Sequence, residues 1–143
     1  MNELKTLIRL HKWKLDEKRR ALAELEALAE RLAEEKRRLE DEVLAEQAAA
    51  RASEDAGFAY AAYAKVVIER RRRLEESIAQ VARQIETARE EMADAFQEVK
   101  RYELAQEGRD RRDRERLRRR EGAMLDEVAV TGFMRRRREA AEG

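Results

Sequence analysis

The 143-residue chain contains no cysteine and no proline, and its five glycines are scattered singly. Without cysteine the chain can form no disulfide framework and has no thiolate nucleophile. Isolated glycines exclude the glycine-rich loop in which nucleotide-binding proteins cradle phosphate groups. No apolar run approaches the ~20 residues that span a bilayer or resembles the apolar core of a signal peptide. A soluble cytoplasmic protein is therefore expected.

Histidine occurs only once, at position 11. A nucleophile–base pair needs a serine or cysteine near a histidine, and few hydroxyl residues are available here. A metal site would need more ligands around His11 than Asp16 alone can offer. The composition predicts no catalytic residue, no metal site and no cofactor, and hence a protein that is not an enzyme.

Charged and apolar residues dominate what is present, at 45% and 43% of the chain. So much charge, against roughly 25% in ordinary domains, is compatible with disorder or with a coiled coil. The apolar residues favour the coiled coil, because they recur with a seven-residue period in two segments. In residues 4–50 the inward-facing a and d positions are Leu4, Ile8, His11, Leu15, Lys18, Leu22, Leu25, Ala29, Leu32, Lys36, Leu39, Val43, Glu46 and Ala50. In residues 67–106 they are Val67, Arg71, Leu74, Ile78, Val81, Ile85, Ala88, Met92, Ala95, Val99, Tyr102 and Gln106.

A chain reversal is indicated between these two segments by the stretch ARASEDAGFAYAAYAK. Its Ser53, Asp55 and Gly57 are residue types of turns and helix caps. We therefore predict an all-α fold, a long antiparallel two-helix coiled-coil hairpin. Folding back within one chain avoids the entropy of association and favours a monomer. A dimer of extended helices is the alternative.

The hairpin is expected to form a single domain over residues 1–143. Its predicted parts are a first helix at 1–53, a turn at 54–60 and a second helix at 61–114. Residues 115–143 should form a helical extension that is partly frayed, because single glycines weaken a helix.

Two apolar patches lie outside the heptad seam. Trp13, the only tryptophan, takes an f position that faces away from the second helix, with Leu10 and then Leu7 at three-residue spacing. A clustered patch that contains tryptophan indicates a docking surface, unless the C-terminal extension folds back over it. The second patch lies beside the turn and either seals the hairpin end or binds a partner. It comprises Phe58, Tyr60, Tyr63, Val66 and Val67.

Positive charge is concentrated at the C-terminal end of the chain. The net charge is only +1, yet residues 106–143 contain twelve arginines against nine acidic residues. Arginine runs stand at 70–73, 116–120 and 135–138. Such runs can bind nucleic acid through its phosphates, but no aromatic ladder accompanies them. Solvated faces are expected instead, with the two C-terminal runs suited to an acidic protein surface.

Three stretches, in the order LKTLIRLHKWKLDEKRRALAELE, YAAYAKVV and RERLRRREGAMLDEVAV, resemble the FliJ family of the bacterial flagellar type III export apparatus. The resemblance covers nearly the whole chain and implies a hairpin similar to the stalk of rotary ATPases. It implies a non-enzymatic role that couples the hexameric export ATPase to the export gate and assists the delivery of chaperone-bound substrates. It also implies a cytoplasmic protein peripherally associated with the inner membrane at the flagellar base.

Three kinds of partner are implied by this resemblance, and none of them is a nucleic acid: the hexameric export ATPase, the linker of the export-gate membrane protein FlhA, and export chaperones. The ATPase would be bound at the end where the termini meet, through Leu10, Trp13, Arg116, Arg118, Arg119 and Arg120. The gate linker would be bound near the turn, through Tyr60, Tyr63 and Val67 of the second helix and Leu39 and Val43 of the first. The alternatives are the equivalent stalk of a virulence type III secretion system and a generic basic coiled-coil scaffold.

Overall fold

A computed structural model of the protein describes residues 3–54 and 57–142. These residues form two helices, α1 (Glu3–Arg51) and α2 (Gly57–Glu142). The helices run antiparallel, because ion pairs join Lys18 to Glu91 near the start of α1 and Glu42 to Arg70 near its end. The predicted all-α hairpin is therefore confirmed.

The chain reversal is shorter than the sequence predicted. The amide of Ala52 donates to the carbonyl of Ala48 at 3.3 Å, which closes the last turn of α1. Gly57 already begins α2, so residues 57–60, predicted as turn, are helical. Asp55, predicted as a turn residue, lies outside the described residues. The alanine and aromatic residues after Gly57 extend the second helix toward its N-terminus. The assigned end of a helix commonly shifts by a residue or two.

Gly57 does not play the part that helix-ending glycines usually play. None of the described residues, glycine or otherwise, has a positive φ. The left-handed conformation that closes many helices is therefore not used here. Gly57 instead occupies the start of α2, where a missing side chain costs little.

The predicted fraying of the C-terminal extension is not seen in the described residues. α2 continues as one helix of 86 residues to Glu142, with Gly122 and Gly132 inside it. A single glycine costs a helix about 1 kcal/mol relative to alanine. The surrounding arginine, glutamate, leucine, methionine and alanine residues are good helix formers, which is why the two glycines do not interrupt α2.

The chain divides into two compact units, one comprising Arg9–Val99 and the other Met1–Ile8 with Lys100–Gly143. In the first, which we call the seam unit, every a and d position is buried or half-buried except Glu46. Burying a leucine or valine side chain contributes roughly 1.5–3 kcal/mol, so these contacts hold the two helices together. The buried core residues of the seam unit are Leu15, Leu22, Leu39, Val67, Val81, Ala88 and Val99.

Ion pairs fix the register of the seam unit. The Lys18 Nζ lies 2.9 Å from a carboxylate oxygen of Glu91, and Lys36 lies 3.9 Å from Glu75. Both lysines occupy seam positions, half-buried, with their charged ends turned toward the opposite helix. Each such exposed pair contributes well under about 1 kcal/mol. A shifted register would separate these charges, so their main effect is on specificity.

The second unit, which we call the terminal unit, has little burial. Leu4, Ile8, Tyr102 and Gln106 are half-buried, in line with their seam positions. From Arg109 to Glu142 every residue is exposed except the two small glycines. The end of α2 therefore has no packing partner among the described residues of its own unit.

Candidate partner-binding surfaces

The end of α2 in the terminal unit exposes large apolar side chains. Each is between 55% and 70% exposed, and they fall within eighteen consecutive residues. At about 100° per residue they point in different directions around the helix. Several exposed apolar side chains within one short segment indicate a surface that binds a partner. The residues concerned are Leu117, Met124, Leu125, Val128, Val130, Phe133 and Met134.

Arginine runs flank this apolar segment on both sides. Arg116 and Arg118 to Arg120 lie on both sides of Leu117 at its start, and residues 135–138 follow it. All are exposed. In the described part of the chain none of them forms an ion pair, although Arg136 donates to the carbonyl of Gly132 at 3.4 Å. These guanidinium groups remain available to carboxylates of a partner.

Trp13, in the seam unit, stands at a groove between the helices. Its side chain is 60% exposed and that of Leu10 is 44% exposed. The groove is lined from α1 by Trp13 and Lys14 and from α2 by Glu91, Asp94 and Glu98. The acidic wall was missed by the sequence reasoning, which considered this part of the chain only for its seam positions. Only the helix register places them opposite the tryptophan.

The apolar strip around Trp13 is exposed in the structure. Leu7, which belongs to the terminal unit, is 37% exposed. The sequence left open that the C-terminal extension folds back over Trp13. α2 itself is a single helix throughout the residues that the structure describes.

The patch near the turn divides into buried and accessible residues. Leu39 and Val67 are each only 3% exposed and belong to the helix interface. They are core residues, and their assignment to the gate-binding surface needs correction. The reason is that both occupy d positions, where an apolar residue faces the other helix. Val43 is half-buried in the same seam.

Tyr60 and Tyr63 remain as accessible residues of this patch. Both are half-buried, and their ring centroids lie 6.3 Å apart with the ring planes tilted by 44°. That separation is within the range of favourable aromatic pairs. Other apolar side chains enlarge the accessible surface. The sequence reasoning overlooked two of them, Leu44 and Ile68, which lie outside the a and d positions. The exposed apolar residues of this part of the chain are Leu44, Phe58, Val66 and Ile68.

The hydroxyl group of Tyr63 is shielded from solvent. Among the described residues it has no hydrogen-bond partner in good geometry. Burial raises the pKa of this hydroxyl, and the nearby Glu42 carboxylate raises it further. Glu42 lies 3.5 Å from Arg70, so its charge is partly compensated.

A match to a known protein family covers nearly the whole chain. A family model described as flagellar FliJ protein matches residues 1–138. The chain belongs to the FliJ family. No curated protein and no solved structure matches it. The family assignment confirms the resemblance seen in the sequence and relates the chain to flagellar protein export.

The first arginine run of this FliJ-family chain is neutralised internally. Arg72 donates to Glu69 at 2.6 Å and to Glu76 at 2.6 Å, and Arg73 donates to Glu69 at 3.2 Å. The Arg72 hydrogen bond lowers the pKa of Glu69 to about 2. Three of the four arginines of this run, Arg70, Arg72 and Arg73, are therefore paired within the protein, in contrast to the arginines at 116–120.

The described residues of this FliJ-family chain contain neither a metal-binding group nor a membrane-spanning segment. Among residues 3–54 and 57–142, no group of three acidic, histidine or cysteine side chains could hold a metal ion. Neither described helix has an apolar stretch long enough to cross a membrane.

Proposed function

We propose that this protein is a stalk-like component of the flagellar type III export ATPase complex. It couples the ATPase ring to the export gate and assists the delivery of substrates carried by chaperones. The observation that supports this most directly is the end of α2, where exposed apolar side chains lie on several sides of the helix, beside arginines that form no ion pair with any described residue. An exposed apolar cluster of this kind indicates a surface that a partner covers.

A ring of ATPase subunits supplies such an enclosure. The apolar residues from Leu117 to Met134 would be buried in the ring, and the arginines at 116–120 and 135–138 would meet acidic side chains at its openings. Because the arginines are exposed, their attraction acts over a Debye length of about 10 Å at 0.1 M salt. Binding is therefore expected to be fast and to weaken as salt is raised.

The part of the seam unit beside the turn would contact the export gate. Tyr60 and Tyr63 offer a paired aromatic surface, and Phe58 beside them is 91% exposed. An aromatic side chain that remains so exposed is a strong candidate for a partner contact. The linker of the gate protein is the proposed occupant. Association with the inner membrane at the flagellar base would follow from this contact and not from a membrane-spanning helix of the chain.

The proposed contact between the end of α2 and the hexameric export ATPase can be tested by measuring ATP hydrolysis. The purified protein should bind the ATPase, promote ring assembly and raise the hydrolysis rate. Reversing the charge of the four arginines Arg116, Arg118, Arg119 and Arg120 to glutamate should weaken binding but leave the helix content unchanged. The loss should be largest at low salt.

A matched variant controls for total charge. Arg31, Lys65, Arg83 and Arg89 are also exposed, and changing these four to glutamate gives the same net charge change elsewhere. This control should bind the ATPase nearly as well as the parent protein. Equal weakening by both variants would show that net charge alone acts, and full binding by the first variant at all salt concentrations would refute the proposed contact.

A further inference from the structure

The groove beside Trp13 combines an exposed aromatic face with a carboxylate wall. Trp13 is 60% exposed and shares the groove with Asp94 and Glu98 of α2. Indole is the aromatic side chain that attracts cations most strongly through its ring face. An aromatic face opposite carboxylates is therefore a recognition element for a positively charged side chain.

The charges that line the groove are not all satisfied internally. Lys18 and Glu91 pair at 2.9 Å, and Glu17 pairs with Arg20 on the same helix. Asp94 has no ion pair with any residue that the structure describes, and its side chain is exposed. The carboxylate of Asp94 is thus available to a cation that approaches the indole of Trp13.

We propose that this groove binds an arginine- or lysine-bearing helical segment of a partner protein. One cationic side chain stacks on the Trp13 indole and pairs with the Asp94 carboxylate. The charge complementarity is local, because the α1 wall carries Lys14 while the α2 wall is acidic. The groove therefore selects a segment whose cationic side chains face α2, and the unpaired Lys14 works against binding.

Only the identity of the protein that supplies the cation rests on the proposed function. The export ATPase would be that protein if its binding involves this part of α1. The chemical preference of the groove can be measured without the ATPase, so its failure and the failure of ATPase binding are separate results.

The sole tryptophan makes the test site-specific. A blocked helical peptide of alanine and arginine is titrated into the full-length protein, and both the Trp13 fluorescence and the binding heat are recorded. The arginine peptide should change the Trp13 emission, whereas a peptide with glutamate in place of arginine should not. Binding heat without a change in emission would place the peptide elsewhere and overturn the proposal.

Variants of the two walls give effects of opposite sign. Asp94→Asn should weaken binding of the arginine peptide by about twofold to fivefold, as expected for loss of one exposed ion pair. Lys14→Gln should strengthen it by a similar factor. Trp13→Phe, followed by calorimetry, should weaken it by about twofold to fivefold through loss of cation–π attraction.

Asp41→Asn is the matched control for Asp94→Asn. Asp41 is an exposed aspartate of the seam unit that does not line the groove, and its loss should leave binding unchanged. Equal effects of the two aspartate substitutions, or equal affinity for the arginine and glutamate peptides, would refute the proposed recognition.

Discussion

Replacing Leu39 by alanine should destabilise the hairpin far more than the same replacement at Leu44, one and a half turns further along α1. Leu39 is 3% exposed in the seam, whereas Leu44 is 64% exposed. Both residues are leucines in the middle of one helix, so their helix propensities and their changes in volume are identical. Only their packing differs.

The size of the effect follows from that burial. Leucine-to-alanine changes in protein cores cost about 2–5 kcal/mol. Only two helices surround Leu39, so its site is open to water along the edges of the seam. The added cost of the cavity that Leu39→Ala leaves is therefore small. A loss of about 2–3 kcal/mol is expected for Leu39→Ala, and a change within about 0.5 kcal/mol for Leu44→Ala, as for most surface substitutions.

Urea unfolding followed by circular dichroism measures both values. With a slope of about 2 kcal/mol per molar urea, the midpoint of Leu39→Ala should fall by about 1 M. The midpoint of Leu44→Ala should barely move. Equal shifts for both variants, or a larger shift for Leu44→Ala, would refute the heptad register on which the account of the seam rests.

Three further predictions follow from individual contacts. Tyr63→Phe removes a solvent-shielded hydroxyl that has no hydrogen-bond partner in good geometry among the described residues, so the free energy of unfolding should not fall; Tyr60→Phe is the control, and a clear loss for Tyr63→Phe alone would contradict this. Glu69 has a folded pKa of about 2, below its unfolded value, so its stabilising effect is present above about pH 4.5 and is lost as the pH falls toward 2. Glu69→Gln should flatten the dependence of the urea midpoint on pH in that window, whereas Glu24→Gln, at an exposed glutamate without an ion pair in the described structure, should not. Gly122→Ala should slow hydrogen exchange of the surrounding amides. A β-carbon at this position meets nothing within 4 Å, and alanine favours a helix over glycine by up to about 1 kcal/mol. Unchanged hydrogen exchange would contradict the continuous helix.

Much of the fold could be predicted from the sequence, because seam contacts depend on periodicity alone. The heptad pattern placed Leu15, Leu22 and Leu39 in the core, where the structure buries them. The limits of the turn were harder to predict. Helix ends depend on a balance of small terms, and alanine-rich flanks extend α2 to Gly57.

The candidate sites were less predictable, because a surface depends on both helices at once. Trp13 and Leu10 could be recognised as outward-facing from α1 alone. The carboxylate of Asp94 could be placed beside Trp13 only once the register between α1 and α2 was known. Leu39 and Val67 were assigned to a partner surface by resemblance, although their own heptad positions already placed them in the core.

The seam between α1 and α2 also bears on how freely this sequence can change over evolutionary time. Each seam residue touches one opposing helix, and even the most buried, at 3% exposure, are not fully enclosed. Exchanges among leucine, isoleucine, valine and methionine at such positions cost less than about 1.5 kcal/mol, and exposed positions tolerate still more. Two hairpins of this kind could therefore drift until few aligned residues are identical while the spacing of apolar residues persists. Divergence of this sort would erase the individual residues long before it erased the fold.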